Sequence, residues 1–165
     1  MTSRDDQTPF KILFLCTGNS ARSIFGEYLM RRIGGPRFES YSAGTEPTGR
    51  VNPFALEVLR DLYHIDAGEA RSKSCEEYQD EKFDFVITVC DNARETCPVW
   101  PGQPIIAHWG LPDPALATGT EEQILREFKQ AALRLQHRIE IFCSLPFDKL
   151  DRLKMALLTR AIGED

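Results

Sequence analysis

Residues 11–15, Lys-Ile-Leu-Phe-Leu, are apolar almost throughout and do not alternate, the pattern of a strand buried on both faces of a parallel sheet. A small polar segment, CTGNSAR, follows at 16–22. From Ser20 onward Ile24, Phe25, Tyr28, Leu29 and Ile33 recur at helical spacing, until the Gly34, Gly35, Pro36 run stops the helix. Phe38 to Ser42 alternates as a second strand, and Ala43 and Gly44 turn out of it. Asn52 before Pro53 reads as an N-cap with proline at the first helical position, Leu56, Val58, Leu59 and Leu62 forming the buried side. Ser74 and Glu77 have the spacing of a capping box for a short helical turn. Asp84 to Val89 is the next buried strand, and like the first it runs into a cysteine, Cys90.

Residues 90–104 mix polar residues with two cysteines and three prolines, a composition unable to support a long stable helix. Pro104 to Ala107 predicts a brief fourth strand, and the segment HWGLPDPA after it is loop. Thr120 and Gln123 cap a long helix whose apolar face holds Ile124, Phe128, Ala131, Leu135, Ile139 and Phe142. A further helix from about Asp148 places Leu150, Leu153, Leu157, Leu158 and Ile162 on one side and ends at Gly163. Strands alternating with helices predict a three-layer α/β/α domain around a four-stranded parallel sheet with right-handed crossovers. Residues 1–9 are expected to be a frayed arm, 10–143 the domain, and 144–165 a helical extension that covers the domain or forms a dimer seam, leaving monomer and dimer both open.

The composition narrows the function classes. The 165 residues are 42% apolar and 27% charged, as in a globular domain, and carry a net charge of -5. No Lys/Arg run is long enough to track a nucleic-acid backbone. The polar N-terminus and the lack of an apolar span of about 18 residues predict a cytoplasmic protein without membrane insertion. Five cysteines at irregular spacing do not form a secreted disulfide scaffold, which leaves core, metal or redox roles.

In parallel sheets ligands lie beyond the carboxyl ends of the strands, where Cys16, Cys90 and the loop after Ala107 can converge. The small residues Thr17, Gly18, Asn19, Ser20 and Ala21 let successive backbone N–H groups form a concave nest over a helix start, suited to a tetrahedral oxyanion such as phosphate or arsenate. Arg22 adds a planar fork for two of its oxygens. The same field is expected to lower the pKa of Cys16 and make its thiolate the nucleophile, with Asn19 and Ser23 holding the loop and hydrogen-bonding the sulfur. The alternative is a core cysteine before an ordinary turn.

The string CTGNSARS, with Glu27, then YSAGTEP and later DPA, resembles the low-molecular-weight protein tyrosine phosphatase superfamily from about Lys11 to Phe142. That resemblance implies Cys16 as nucleophile, Arg22 as oxyanion clamp and Asp113 as general acid. A carboxyl on a mobile loop suits the proton donation, although Asp113 and Pro114 also read as a plain turn. Cys90 and Cys97, together with CPVWPG and HWGLPDPA, resemble the arsenate reductases built on this fold. This second resemblance implies arsenate as substrate with phosphate as a competing oxyanion. It further implies a Cys16/Cys90/Cys97 disulfide relay, no bound cofactor, and an external thiol reductant such as thioredoxin or glutaredoxin. Packing of Cys90 and Cys97 as small hydrophobes is the bland alternative. Zinc ligation is disfavoured by their wide spacing, with His108 as the sole nearby histidine, so no metal is expected.

Three departures from the superfamily pattern matter. Ala21 stands where many members carry a second loop cysteine, and Ala115 where tyrosine phosphatases place an aromatic against the phenol ring. Some members bind potassium near Asn19, Glu27 and Ser42, with an acidic ligand expected where this chain has Lys73, whose ammonium is a candidate replacement. Hydrolysis of phosphomonoesters through a phosphocysteine is the alternative activity, and a non-catalytic anion-binding module a third reading. Cys75 and Cys143 are expected to be structural, His64 and His137 to lie on the surface, and Trp100 and Trp109 to pack around the redox loop, with reception of a partner as their alternative role.

Overall fold

A computed structural model describes residues 8–164, so most of the expected N-terminal arm, residues 1–7, lies outside the described residues. The four predicted strands form one parallel sheet in the order β2-β1-β3-β4. Strands β1 (Phe10–Cys16) and β3 (Phe85–Thr88) lie inside, and β2 (Phe38–Gly44) and β4 (Ile105–His108) form the edges. The α-helices are α1 (Arg22–Gly34), α2 (Pro53–Tyr63), α3 (Asp91–Glu95), α4 (Glu121–Cys143) and α5 (Arg152–Ile162).

The missing alternation in β1 has a direct cause: Ile12 to Leu15 are all wholly buried because both faces of the sheet are covered. Phe14 packs under Gly26 of α1, where any Cβ would collide with its ring. On the same face Phe142 of α4 lies against Phe85 at 5.0 Å, Phe38 at 5.5 Å and Trp109 at 5.6 Å between ring centroids. The opposite face carries an aromatic chain in which Tyr41 touches Tyr78 and Phe83, and Phe83 touches Trp100.

Local signals at the helix starts succeed where the partners are adjacent in sequence. Asn52 accepts a hydrogen bond from the Phe54 amide, and Thr120 and Gln123 close both halves of a capping box. At Ser74 only half the box forms: its hydroxyl accepts from the Glu76 amide, while Glu77 pairs with Arg71 at 3.1 Å, and Cys75–Tyr78 is a single 3-10 turn. In α2 the last turn directs Tyr63 toward α4, its hydroxyl donating to Gln136 at 2.8 Å, and leaves Leu62 40% exposed rather than buried.

The C-terminal helix departs most from the periodic expectation. It begins at Arg152, capped by Asp151, and buries Ala156, Thr159 and Ile162. The leucines predicted to face inward, Leu153, Leu157 and Leu158, are 69%, 57% and 40% exposed. The reason is close backbone approach to the edge strand. Thr159 accepts from the buried Trp109 indole at 3.0 Å, Arg160 donates to the Ile106 carbonyl at 3.0 Å, Arg152 donates to the Gln103 carbonyl, and a Cβ at Gly163 would strike the His108 carbonyl. Bulky leucines cannot enter that contact, so the small face of the helix turns inward.

Trp109 joins this helix to the core. Replacing Trp109 with Ala is expected to lower unfolding free energy by about 3–5 kcal/mol in urea titration. Trp109→Phe, which keeps a ring but orphans the Thr159 carbonyl, should lose about 1–2 kcal/mol.

Candidate active site

Parallel pairing of β1 with β3 sets Leu15 against Thr88, so the chain leaves both strands at the same level, at Cys16 and at Val89 followed by Cys90. The segment after β4 then runs along the end of β3, with the Trp109 amide bonding the Thr88 carbonyl and the Leu111 amide the Val89 carbonyl. All three chemistry-bearing stretches thereby meet at the carboxyl end of the sheet.

The carbonyls of the first loop are occupied from outside. Cys16, Thr17, Gly18 and Ser20 accept from the amides of Thr45, Glu46, Thr48 and Asn52, and Ser72 donates to the Gly18 carbonyl at 2.9 Å. With the carbonyls pulled outward, the loop amides are left for an anion, the condition for a nest. Gly44 permits this seam, since a Cβ there would collide with the Thr17 carbonyl. Helix α1 begins at Arg22, two residues later than the periodicity predicts, so Ser20 and Ala21 belong to the loop.

Cys16 is 3% exposed. Its sulfur lies 2.8 Å from the Ser23 hydroxyl and accepts from the Asn19 amide at 3.1 Å, Asn19 adopting a left-handed backbone (φ 48°) to aim it. The Asn19 side-chain amide donates to Ser23 at 2.7 Å, which leaves the Ser23 proton for the sulfur. Even so, burial pushes the Cys16 thiol up; the Ser23 and Asn19 hydrogen bonds oppose it, and the nearby Cys90 thiol adds to the rise. The expected depression is thus absent in this geometry, and the reason is desolvation.

Arg22 faces the acid loop. It donates to the Leu111 carbonyl at 2.9 Å and lies 3.6 Å from the Asp113 carboxylate, so the expected clamp and the expected acid meet. Asp113 also accepts from the Ala115 amide at 3.0 Å, the local turn its sequence suggested. Cys90 is buried with its sulfur 3.3 Å from the Thr17 hydroxyl, which accepts from the Asn92 side chain at 3.0 Å and keeps its own proton for the sulfur.

Cys97 follows α3 and is half-buried; burial pushes its thiol up, with the Trp100 indole N–H opposing. None of the five cysteines is joined to another. Cys143 packs on Met30 Sδ at 3.8 Å, its thiol pushed up to about 11 by burial, while Cys75 is half-buried in its 3-10 turn. His64 and His137 are exposed, and both tryptophans are buried. Among the described residues no three His, Cys, Asp or Glu side chains are grouped to hold a metal. Ser72 and Asn92, both of which brace the first loop, carried no sequence signal, since their partners lie 54 and 75 residues away.

Behind the loop, the Lys73 ammonium is buried among Asn19 Oδ1 at 3.4 Å, Glu27 Oε1 at 3.4 Å, Ser42 Oγ at 3.1 Å and the Arg71 carbonyl at 3.1 Å. Its own amide donates to Asn19 Oδ1 at 2.9 Å. Burial pulls the Lys73 pKa down and the Glu27 carboxylate opposes that. The three side chains that the resemblance assigns to potassium already hold this ammonium, and a second cation beside it would meet a like charge, so they do not fit the metal.

A buried cysteine in a loop whose carbonyls are bonded outward, an arginine at the following helix start and a carboxylate opposite are the arrangement expected of an α/β protein that handles oxyanions. The chain belongs to the low molecular weight phosphotyrosine protein phosphatase family, which it matches over residues 11–152. It is 40% identical over 131 residues to an arsenate reductase of Oceanobacillus iheyensis, an alignment covering 79% of this chain and 93% of that one. Among solved structures, an arsenate reductase in its phosphate-binding state superposes with a TM-score of 0.70 at 27% identity, covering 82% of this chain and 97% of the other. A thioredoxin-dependent arsenate reductase of Corynebacterium glutamicum superposes with a TM-score of 0.56 at 26% identity, covering 80% of this chain and 62% of that one. Among the described residues no helix is long and apolar enough to cross a membrane.

Ser23→Ala removes the hydroxyl that favours the Cys16 thiolate. The pH midpoint of Cys16 alkylation by iodoacetamide is expected to rise by roughly one unit or more, as for loss of a hydrogen bond to a charged group. Lys73→Met takes the ammonium from Glu27 Oε1, Ser42 and Asn19 Oδ1, while Arg31 still pairs with Glu27 Oε2 at 2.8 Å and the residue-73 amide still bonds Asn19; stability should fall by about 1–3 kcal/mol, measured by denaturant titration. Wild-type turnover should be indifferent to exchange of sodium for potassium at constant ionic strength.

Proposed function

We propose that the protein reduces arsenate to arsenite through Cys16, Cys90 and Cys97. The observation that carries this reading is the Cys90 sulfur against Thr17 of the anion loop, with Cys97 at the far end of a five-residue helix. Hydrolysis of a phosphomonoester needs one cysteine; a second one beside the nucleophile supplies electrons. The arsenate reductases among the relatives and solved structures support the same chemistry.

Arsenate enters the nest of loop amides and draws the Arg22 fork onto its oxygens. The Cys16 thiolate bonds to arsenic, and Asp113 delivers a proton to the departing oxygen, which leaves as water. Cys90, positioned by the Thr17 hydroxyl, loses its proton and attacks the Cys16 sulfur. A sulfur–sulfur bond forms, the sulfur–arsenic bond breaks, and its electron pair stays on arsenic, which departs as arsenite. Two thiols have become one disulfide while As(V) has become As(III). Cys97 then attacks Cys90, expelling the Cys16 thiolate and leaving a Cys90–Cys97 disulfide for an external dithiol. Thioredoxin is the favoured reductant, supported by the thioredoxin-dependent structural neighbour, with glutaredoxin as the alternative.

Arsenite production with thioredoxin, thioredoxin reductase and NADPH tests the reading. Wild type should turn over continuously, Cys97→Ser should release one equivalent and stop, and Cys90→Ser should release none. Continued turnover in both variants overturns the relay, and phosphomonoester hydrolysis without arsenite production would favour the phosphatase.

A further inference from the structure

The relay makes opposite demands on α3. Cys90 has to be held beside Cys16 for the first transfer, yet Cys97 has to reach Cys90 for the second. Cys97 is seven positions after Cys90, with the five helical residues of α3 between them, a span of roughly 10 Å at helical rise. A disulfide requires Cα atoms within about 4.4–6.8 Å, so α3 must unwind between the steps. What holds it beforehand is therefore part of the chemistry.

The helix has little hold of its own. It is five residues long, Cys90 at its N-cap makes no side-chain hydrogen bond to it, and Ala93 is its single buried residue. Two side-chain hydrogen bonds tie its first turn to the domain. Asn92 reaches Thr17 at 3.0 Å, and the Asp91 carboxylate lies 3.0 Å from Nε2 of His108. His108 is the last residue of β4, and its Nδ1 lies 2.8 Å from the hydroxyl of Thr88, the buried last residue of β3. A neutral imidazole satisfies both contacts: the Thr88 hydroxyl donates to Nδ1, and Nε2–H donates to Asp91. Gly110 leaves room for the ring, and Gly163, the C-cap of α5, seats against the His108 carbonyl.

We propose that His108 is a positioning residue for Cys90, a latch that pins the first turn of α3 through Asp91 until the Cys16–Cys90 disulfide has formed and releases it for attack by Cys97. The inference rests on the relay reading above. The Asp91 side chain is 89% exposed, so the bond is weak enough to open while the domain stays folded. On the other side His108 is fixed by Thr88 and by the seat of α5, so the latch opens at Asp91.

Rapid-quench alkylation with mass analysis of the full chain, after mixing with arsenate in the absence of reductant, follows both disulfides. In His108→Ala the rate of Cys16–Cys90 formation should fall roughly five-fold, as for loss of one modest hydrogen bond, and transfer to Cys90–Cys97 should accelerate by a similar factor. Asp91→Ala, which opens the same bond from the solvent side without touching the core, should reproduce both changes. His108→Gln, whose amide can accept from Thr88 and donate to Asp91, should restore both rates toward wild type. Unchanged rates in His108→Ala and Asp91→Ala, or a fall in both steps together, overturn the latch while leaving the relay intact. A wild type that forms no Cys16–Cys90 disulfide overturns the relay and the latch with it.

Discussion

The parallel register that sets Leu15 against Thr88 is the constraint on which the site depends. Adjacent strands lie about 4.8 Å apart, so two chains leaving the sheet at one level deliver their next residues into one small volume. The chain goes from β1 outward to β2 and later returns on the other side as β3, which opens a crevice at the carboxyl ends between them. Cys16 and Cys90 sit at that crevice. A slip of the pairing would separate the two sulfurs and turn the buried apolar residues of β3 to other neighbours, so packing of the core and placement of the chemistry are enforced by the same contacts.

Around this point the protein is built in two grades of firmness. The capture loop is anchored by four backbone hydrogen bonds from residues 45–52, by Ser72 and by the buried Lys73, Asn19 and Glu27 group. Its amides need no reorganisation to receive an anion, the arrangement that makes electrostatic stabilisation effective. The segment from Cys90 to Cys97 is secured by a few polar contacts at one end. Low local stability is what a disulfide exchange over that distance requires. Burial raises the Cys16 thiol against the Ser23 and Asn19 hydrogen bonds that favour the thiolate.

The C-terminal helix belongs to this design through the edge strand. An uncovered β4 would present unpaired carbonyls; Arg160 satisfies that of Ile106, Arg152 that of Gln103 just before the strand, and the small face of α5 closes on His108 and Trp109. The helix thereby stiffens the strand that carries His108, at the cost of turning three leucines to the surface.

The sequence alone determined the order of the strands and longer helices, the parallel sheet and the candidates Cys16 and Arg22, because burial on both faces, capping and the small-residue loop are written in neighbouring positions. The double capping of α4 by Thr120 and Gln123 was legible for that reason. Asp113, Cys90 and Cys97 became candidates through the resemblance of their motifs to a known family. Tertiary structure decided what depends on partners far along the chain: the ammonium of Lys73 among Asn19, Glu27 and Ser42, the exposure of Leu153, Leu157 and Leu158, and the tie of His108 to Asp91. Periodicity reports that a helix has an apolar side, but which side it buries depends on the surface it meets. A cysteine's neighbours in sequence suggest its reactivity, but the balance of burial against hydrogen bonding that sets its pKa exists only once the chain has closed around it.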